Sequence, residues 1–253
     1  MKAGLVQYNP VWEDKNNNIE KIDNLLSGAE ERADLLVFPE MTLTGFTMNA
    51  SRFAEKADGE SFEYFSGIAQ KSRAHVLAGL IEEDEGNYYN TLLHINESGK
   101  TLSKYRKLHP FSYSTEDKHY KKGEGISVTD IGEFKAGLTI CYDLRFPELY
   151  RLYGKERAHL AIVIANWPVA RIEHWRALLK ARAIENQFYV IGVNRVGNDP
   201  KLKYNGYSSV YDPMGVEITF SADEEKVITA DIFREKVEET RTKLPFLDDM
   251  YLI

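Results

Sequence analysis

Three side chains able to do covalent chemistry stand at the ends of strand-like runs: Glu40, Lys107 and Cys141. Glu40 follows Leu35-Leu36-Val37-Phe38 by two residues, Lys107 closes the run that begins at Thr101, and Cys141 closes Gly137-Leu138-Thr139-Ile140. Ligands of α/β sheets gather at the carboxyl ends of strands, so an acid, a cation and a thiol in such places could share one site. Taken singly, each has an ordinary explanation. A lone cysteine is more often a small buried hydrophobe than a nucleophile. A glutamate after a strand is usually a solvated loop charge, and a lysine at a hairpin end commonly solubilises an edge. Position alone leaves their function open; one chemistry that such a set could do is acyl transfer. A thiol with a pKa of about 8.5 is mostly protonated at neutral pH. A carboxylate can take its proton as the sulfur attacks an amide carbon. The ammonium of Lys107 and the backbone N–H of Tyr142 could then stabilise the oxyanion.

Other chemistries have less support. His109 lies two residues from Lys107, so a Cys–His dyad is conceivable, although a histidine in such a loop more often packs or hydrogen-bonds. The six histidines show no HExxH or other paired spacing, so neither a zinc site nor any other metal is expected. No GxGxxG or GxxxxGK[ST] occurs, and no cofactor is expected.

The elements that must position these residues follow from periodicity. Residues 2–7, 35–38, 75–82, 136–141, 160–165 and 188–193 read as strands, and 88–96 with 101–107 as a hairpin around Glu97-Ser98-Gly99-Lys100. Helical spacing covers residues 17–32, 60–73, 146–157 and 173–186, with Pro147 near the start of the third. From residue 204 to 232, Asn205-Gly206 and Met214-Gly215 read as turns between antiparallel strands. Strands alternating with helices predict an α/β fold with outer helices, and the hairpins predict mixed sheets.

Composition narrows the class. A chain of 253 residues with 43% hydrophobic and 28% charged residues has the material for one large core and no sign of disorder. Its net charge of −7, without long basic runs, argues against a nucleic-acid surface. A single cysteine permits no internal disulfide, and the opening residues turn polar too soon for a signal peptide, so a cytoplasmic setting is expected. The longest uncharged apolar run, residues 160–170, is too short for a membrane helix. Asn49-Ala50-Ser51 and Asn96-Glu97-Ser98 match the glycosylation pattern, but without a secretory signal they read as chance.

The local words carry more. Phe38-Pro39-Glu40-Met41-Thr42-Leu43-Thr44-Gly45-Phe46 comes first, then Tyr105-Arg106-Lys107-Leu108-His109-Pro110-Phe111. Leu138-Thr139-Ile140-Cys141-Tyr142-Asp143-Leu144-Arg145-Phe146-Pro147-Glu148 follows. In this order the sequence resembles the nitrilase superfamily of carbon–nitrogen hydrolases. The likeness runs over nearly the whole chain and includes Ala165-Asn166-Trp167-Pro168 and Arg182-Ala183-Ile184-Glu185-Asn186.

The resemblance implies a four-layer αββα sandwich, a single domain over residues 1–253, and a Glu40–Lys107–Cys141 triad that works through a thioester. It also implies a second carboxylate after the lysine. Glu116 matches best, with Asp117 the neighbour it could be confused with. Asn166 and Trp167, ending another strand, are expected to line the pocket. Arg145 could bind a substrate carboxylate or pair with Glu148. Cys-Tyr-Asp, where true nitrilases usually have Cys-Trp-Glu, is similar to the amidase branches, especially the omega-amidases. These release ammonia from 2-oxo dicarboxylic acid monoamides such as 2-oxoglutaramate and 2-oxosuccinamate. The expected partners are a small amide and water, with no membrane. A carbamoylase with the same triad remains open, as does a non-enzymatic binding protein that keeps the fold, although no triad member is lost. The tail, residues 244–253, ends in apolar residues and is expected to enter a homodimer interface; docking on its own core is the alternative.

Overall fold

The computed structural model describes residues 1–56 and 58–252; Ile253, the end of the expected tail, lies outside the described residues. The chain opens with β1 (Lys2–Gln7), α1 (Lys15–Ser27), β2 (Leu35–Val37), a short α2 (Ala50–Phe53) and α3 (Glu60–Ser72). β3 (His75–Asp84), β4 (Asn87–Ile95) and β5 (Thr101–Arg106) follow as successive antiparallel neighbours. β6 (Val128–Ile131) and β7 (Phe134–Ile140) make another hairpin, followed by α4 (Pro147–Lys155), β8 (Leu160–Ala165), α5 (Ile172–Asn186) and β9 (Tyr189–Asn194). β10 (Val196–Asn198), β11 (Lys203–Tyr211), β12 (Glu217–Ala222), β13 (Lys226–Asp231) and α6 (Arg234–Lys243) come last.

The strands form two mixed sheets. One has six strands in the order β13-β1-β2-β3-β4-β5; the other has seven, β10-β11-β9-β8-β7-β6 with β12 beside β11. The parallel pairs are β1–β2–β3 in the first and β7–β8–β9 in the second. Both faces of the inner strands are apolar, and the two-residue alternation assigns each side chain to a layer. Leu160, Ile162 and Ile164 of β8 meet Leu5, Val37 and Leu77 in a core between the sheets. The intervening Ala161, Val163 and Ala165 face Trp175 and Leu179 of α5. On the far side, Val6 and Leu36 pack under Ile22 of α1 and Phe65 and Ile68 of α3. The result is the expected αββα stack.

Several local readings change. α1 begins at Lys15, where the Asp14 side chain accepts from Asn17 N at 3.1 Å, and gives way at Gly28 rather than running to residue 32. Asn205-Gly206 is not a turn but lies inside β11, where Gly206 (φ +72°) and Tyr207 (φ 56°) form a bulge against β12. The left-handed preference that makes this pair turn-like serves the bulge equally. A Cβ on Gly206 would lie 2.3 Å from Gln7 Oε1, and its positive φ strains any other residue. β6, β10 and α6 had no clear sequence signal. The tail docks in part: Gln187 Nε2 donates to Leu244 O at 2.7 Å, Leu247 is buried and Asp248 pairs with Arg157, whereas Tyr251 and Leu252 are more than nine-tenths exposed.

Two buried polar groups tie stability to pH. His94 of β4 is fully buried between His75 Nδ1 (2.8 Å) and Thr129 Oγ1 of β6 (2.8 Å), bridging the two sheets. Burial, and then the His75 charge, push its pKa down from 6.5 to about 3. Glu82 is buried too, and the bonds from Arg106, Lys104 and Thr91 outweigh its burial and bring it from 4.5 to about 2. In both cases the unfolded chain binds the proton first, so stability falls as pH falls: from 6.5 toward 3 for His94, and from 4.5 toward 2 for Glu82. Each proton sets a slope of about 1.4 kcal/mol per pH unit. Melting temperature should hold above neutrality and drop below pH 6.5. His94→Gln should flatten the upper part of that drop; an unchanged profile in the variant would remove His94 as the cause.

Candidate active site

The loop after β2 carries Glu40 across β3. Thr42 N donates to Gly79 O at 2.8 Å, and a Cβ on Gly79 would sit 2.6 Å from Met41 N and 2.8 Å from Glu40 Cα, so this crossing requires glycine. Lys107 leaves the end of β5, and its backbone N–H is held by Asn90 O of β4 at 2.9 Å. Cys141 follows β7 at the start of a tight turn over Cys141–Arg145. That turn is organised by the buried Asp143 carboxylate. Its Oδ2 accepts from Ile140 N (3.0 Å) and Tyr105 Oη (2.8 Å), and its Oδ1 from His109 N (3.0 Å) and Nδ1 (2.7 Å). His109 therefore serves Asp143 and stacks on Phe146 at 3.7 Å; the geometry gives no Cys–His dyad.

Left-handed backbone recurs at the site. Cys141 (φ 49°), Met41 beside Glu40 (φ 47°) and Thr115 beside Glu116 (φ 66°) all have positive φ without being glycine. Each costs about 1–3 kcal/mol and persists only because surrounding structure enforces it.

At the centre lies the Lys107 ammonium, 1% exposed. It donates to Glu40 Oε1 at 2.8 Å and to Glu116 Oε1 and Oε2 at 3.1 and 2.9 Å. Glu116 is fully buried, fixed by Phe111 N at 2.6 Å, whereas Asp117 is exposed. Thus the loop brings Glu116, not Asp117, to the lysine. Glu40 is held further by Asn166, whose backbone N–H reaches Oε2 at 2.9 Å and whose Nδ2 reaches the Glu40 carbonyl at 2.7 Å.

Charges order the site. Burial would raise the Glu40 carboxyl, but the Lys107 charge and the bonds from Lys107, Asn90 and Asn166 hold it below its usual range. Burial pushes Glu116 up; Lys107 opposes this and the Glu40 charge adds to it. Burial would lower Lys107, yet the Glu116 and Glu40 charges keep it firmly protonated. Burial, then the Glu40 charge, push the Cys141 thiol well up, so the resting sulfur is neutral.

A small cavity of about 60 Å³ opens onto these groups. Glu40, Lys107 and Cys141 meet in its lining, together with Tyr142, Arg145, Asn166 and Trp167. Of the candidates named from the sequence, Glu116, Asp117 and His109 do not line it, and Glu116 braces Lys107 instead. Arg145 does not pair with Glu148; its guanidinium lies over the Trp167 ring, 4.7 Å from the centroid. The sequence reading missed Asn90, Asp143 and Asn194. Asn194 clamps the pocket segment, accepting from Trp167 N (2.7 Å) and donating to Trp167 O (2.9 Å). Among the described residues no cluster of His, Cys, Asp and Glu suits a metal ion, and no helix is long and apolar enough to cross a membrane.

Comparison with known proteins gives the class. The carbon-nitrogen hydrolase family profile matches residues 2–242. The chain is 30% identical over 247 residues to the 2-oxoglutaramate amidase of Bacillus subtilis (strain 168), covering 97% of this chain and 95% of that one. It is 36% identical over 252 residues to the omega-amidase YafV of Escherichia coli (strain K12), covering 98% and 96%. Its fold matches the crystal structure of XC1258 from Xanthomonas campestris, a CN-hydrolase superfamily protein, with a TM-score of 0.95 and 31% identity over 100% of this chain and 98% of that one. The chain belongs to the carbon–nitrogen hydrolase family, the nitrilase superfamily.

Asn90 is the neutral member of the buried cluster. Its Nδ2 donates to Glu40 Oε1 at 2.7 Å and to Glu116 Oε1 at 2.9 Å, while its Oδ1 has no partner. Asn90→Leu removes both bonds without stranding a new acceptor on the side chain. Because that bond helps to hold Glu40 down, its loss should move the acid limb of the pH–rate profile upward and lower kcat by roughly 10-fold or more, at 1.5–3 kcal/mol for a charged hydrogen bond. A variant with lower kcat but an unmoved acid limb would show that Asn90 only packs.

Proposed function

We propose that this hydrolase is an amidase of the omega-amidase type, cleaving the terminal amide of a short 2-oxo dicarboxylic acid monoamide to the diacid and ammonia. The observation that carries the reading is the Glu40 carboxylate bonded to the Lys107 ammonium at 2.8 Å in the lining of the cavity that also holds Cys141. The omega-amidase and 2-oxoglutaramate amidase relatives support the substrate class.

Cys141 is the nucleophile. As Sγ attacks the amide carbon, its proton passes to Glu40, and the carbonyl oxygen becomes an oxyanion facing Lys107 and the Tyr142 backbone N–H. Glu40 then protonates the departing nitrogen. Ammonia leaves, and an acyl thioester remains on Cys141. Water, giving its proton to Glu40, adds to the thioester; collapse returns the proton to sulfur and frees the acid. Glu116 orients Lys107 and the substrate amide, Asn166 holds Glu40 in place, and Trp167 and Arg145 shape the pocket, with Arg145 toward the substrate carboxylate. The same proposal makes residues 1–253 one hydrolase domain, without cofactor, working in the cytoplasm.

Cys141→Ala should abolish turnover with an unchanged melting curve, and Cys141→Ser should be nearly as inactive, because Glu40 is a weak base for an alcohol. Glu40→Gln and Lys107→Gln should each lower kcat by roughly 10²–10³ or more. Against a panel of 2-oxoglutaramate, 2-oxosuccinamate, glutamine, asparagine, a carbamoyl amino acid and a nitrile, the two 2-oxo monoamides should give the highest kcat/KM. Preference for the carbamoyl compound would overturn the branch, and activity in the alanine variant the covalent route.

Assembly belongs to the same reading. Tyr251 and Leu252 stand exposed at the end of a tail whose first part is docked, so the proposal is a homodimer that covers them. Light scattering should give a dimer for the full chain and a shift toward monomer for a version ending at Lys243. A full-length monomer at micromolar concentration would sink the dimer.

A further inference from the structure

Two guanidinium groups reach the Cys141 cavity without an acid to meet them. Arg145 and Arg171 both line it, and among the described residues neither forms an ion pair. Elsewhere, buried and half-buried arginines meet oxygen acceptors: Arg106 pairs with Glu82 and Asp84 and Arg182 with Glu185, while Arg195, Arg151 and Arg241 bond to carbonyl and amide oxygens. Here the cations rest on aromatic faces instead. Arg145 lies over Trp167 at 4.7 Å, its Nη1 3.3 Å from His174 Nδ1, and Arg171 lies over Phe111 at 5.6 Å. Rings seat a cation but leave most of its five N–H donors free. Burial, then the Arg171 charge, press Arg145 below its usual range, as expected of like charges converging on one space.

The segment that carries Arg171 is also tied to the reactive end of the site. Trp167 Nε1 donates to Arg171 O at 2.7 Å, Asn194 grips the Trp167 backbone, and the adjacent Asn166 holds Glu40. One stretch of chain, residues 166–171, thus carries Arg171, supplies the ring under Arg145 and holds the general base. Among the described residues the only acid in the cavity lining is Glu40, already engaged by Lys107, so an ammonium on the substrate would meet positive charge and no free partner there.

Resting on the amidase reading above, we propose that Arg171 joins Arg145 in a two-guanidinium clamp for the far carboxylate of the substrate, and that Arg171 sets the preference for dicarboxylic acid monoamides over neutral amides and 2-amino acid amides. The carboxylate neutralises two otherwise unpaired cations, and paired N–H donors fix its orientation.

The test compares kcat/KM for glutaramate, pentanamide and glutamine in the wild type, Arg171→Met, Arg171→Lys and Arg171→Glu. The Arg171 side chain makes no hydrogen bond among the described residues, and melting curves would verify that the variants fold. Arg171→Met should lower the glutaramate-to-pentanamide ratio on the order of 10²-fold, mainly through KM, as loss of a charged hydrogen-bond pair implies. Arg171→Lys should keep part of the ratio, and Arg171→Glu should raise glutamine relative to glutaramate. Titration of glutarate into Cys141→Ala, with and without Arg171→Met, should show the same loss in Kd. Equal losses on both amides, or an unchanged ratio, would overturn the clamp alone. A wild type that prefers pentanamide would overturn the omega-amidase reading on which the clamp rests, and one that cleaves none of the three would overturn the amidase reading itself.

Discussion

A buried ammonium between two carboxylates is the constraint on which the rest of this structure depends. Bringing Lys107, Glu40 and Glu116 out of water costs several kcal/mol per ion, recovered only when geometry is tight and remaining donors and acceptors are met. Three separate segments must therefore arrive together: the loop after β2, the end of β5 and the turn around Glu116. Asn90, Phe111 N and Asn166 then supply the bonds that Lys107 alone cannot. The crossing at Gly79 and the left-handed residues beside the acids are consequences of that convergence.

The site also joins the two sheets. Glu40, Asn90 and Lys107 belong to the six-stranded half; Cys141 and Asn166 belong to the seven-stranded half. The apolar layer between the sheets, with Leu5, Val37, Ile140 and Ile164 among its residues, sets their separation. Asn166 N–H bonding to Glu40 Oε2 is where that separation is read out at the active site. A close-packed interior tolerates little change of volume, so packing far from the sulfur still governs the distance between acid and thiol.

How much of this was legible in the sequence follows from the range of each signal. β1, β2, β8 and β9 were plain because their burial on both faces writes itself as uninterrupted apolar runs. Glu40, Lys107 and Cys141 were findable because each ends such a run within a recognisable word. Asn90 was not, since it sits inside the mostly apolar β4 and its meaning lies in residues 50 and 26 positions away. Asp143 looked like part of the cysteine's word, although its four donors come from Tyr105, His109 and Ile140. Asn205-Gly206 failed for a different reason: a left-handed preference fixes the local backbone but not whether the chain reverses, and pairing with β10 and β12 keeps it extended here. Arg171, in a short turn between β8 and α5, had only its charge to mark it.

The electrostatics at first look adverse to the proposed chemistry, since the thiol is pushed up while Glu40 is held down. Proton transfer before the amide is attacked is uphill, which keeps the resting sulfur neutral. Attack on an amide changes the balance, because the negative charge does not stay on sulfur. It moves from Glu40 to the oxyanion as the proton moves from sulfur to Glu40, so the net charge around Lys107 is unchanged through the step. The ammonium that lowered Glu40 at rest then serves the oxyanion, and no solvent must reorganise to follow it. Protonation of Glu40 also weakens its hold on Lys107 at the moment the oxyanion needs that cation. Glu116, whose carboxylate binds Lys107 through both oxygens, keeps the ammonium in place while its other partner changes charge. A second carboxylate is thus what allows one lysine to serve two anions in turn.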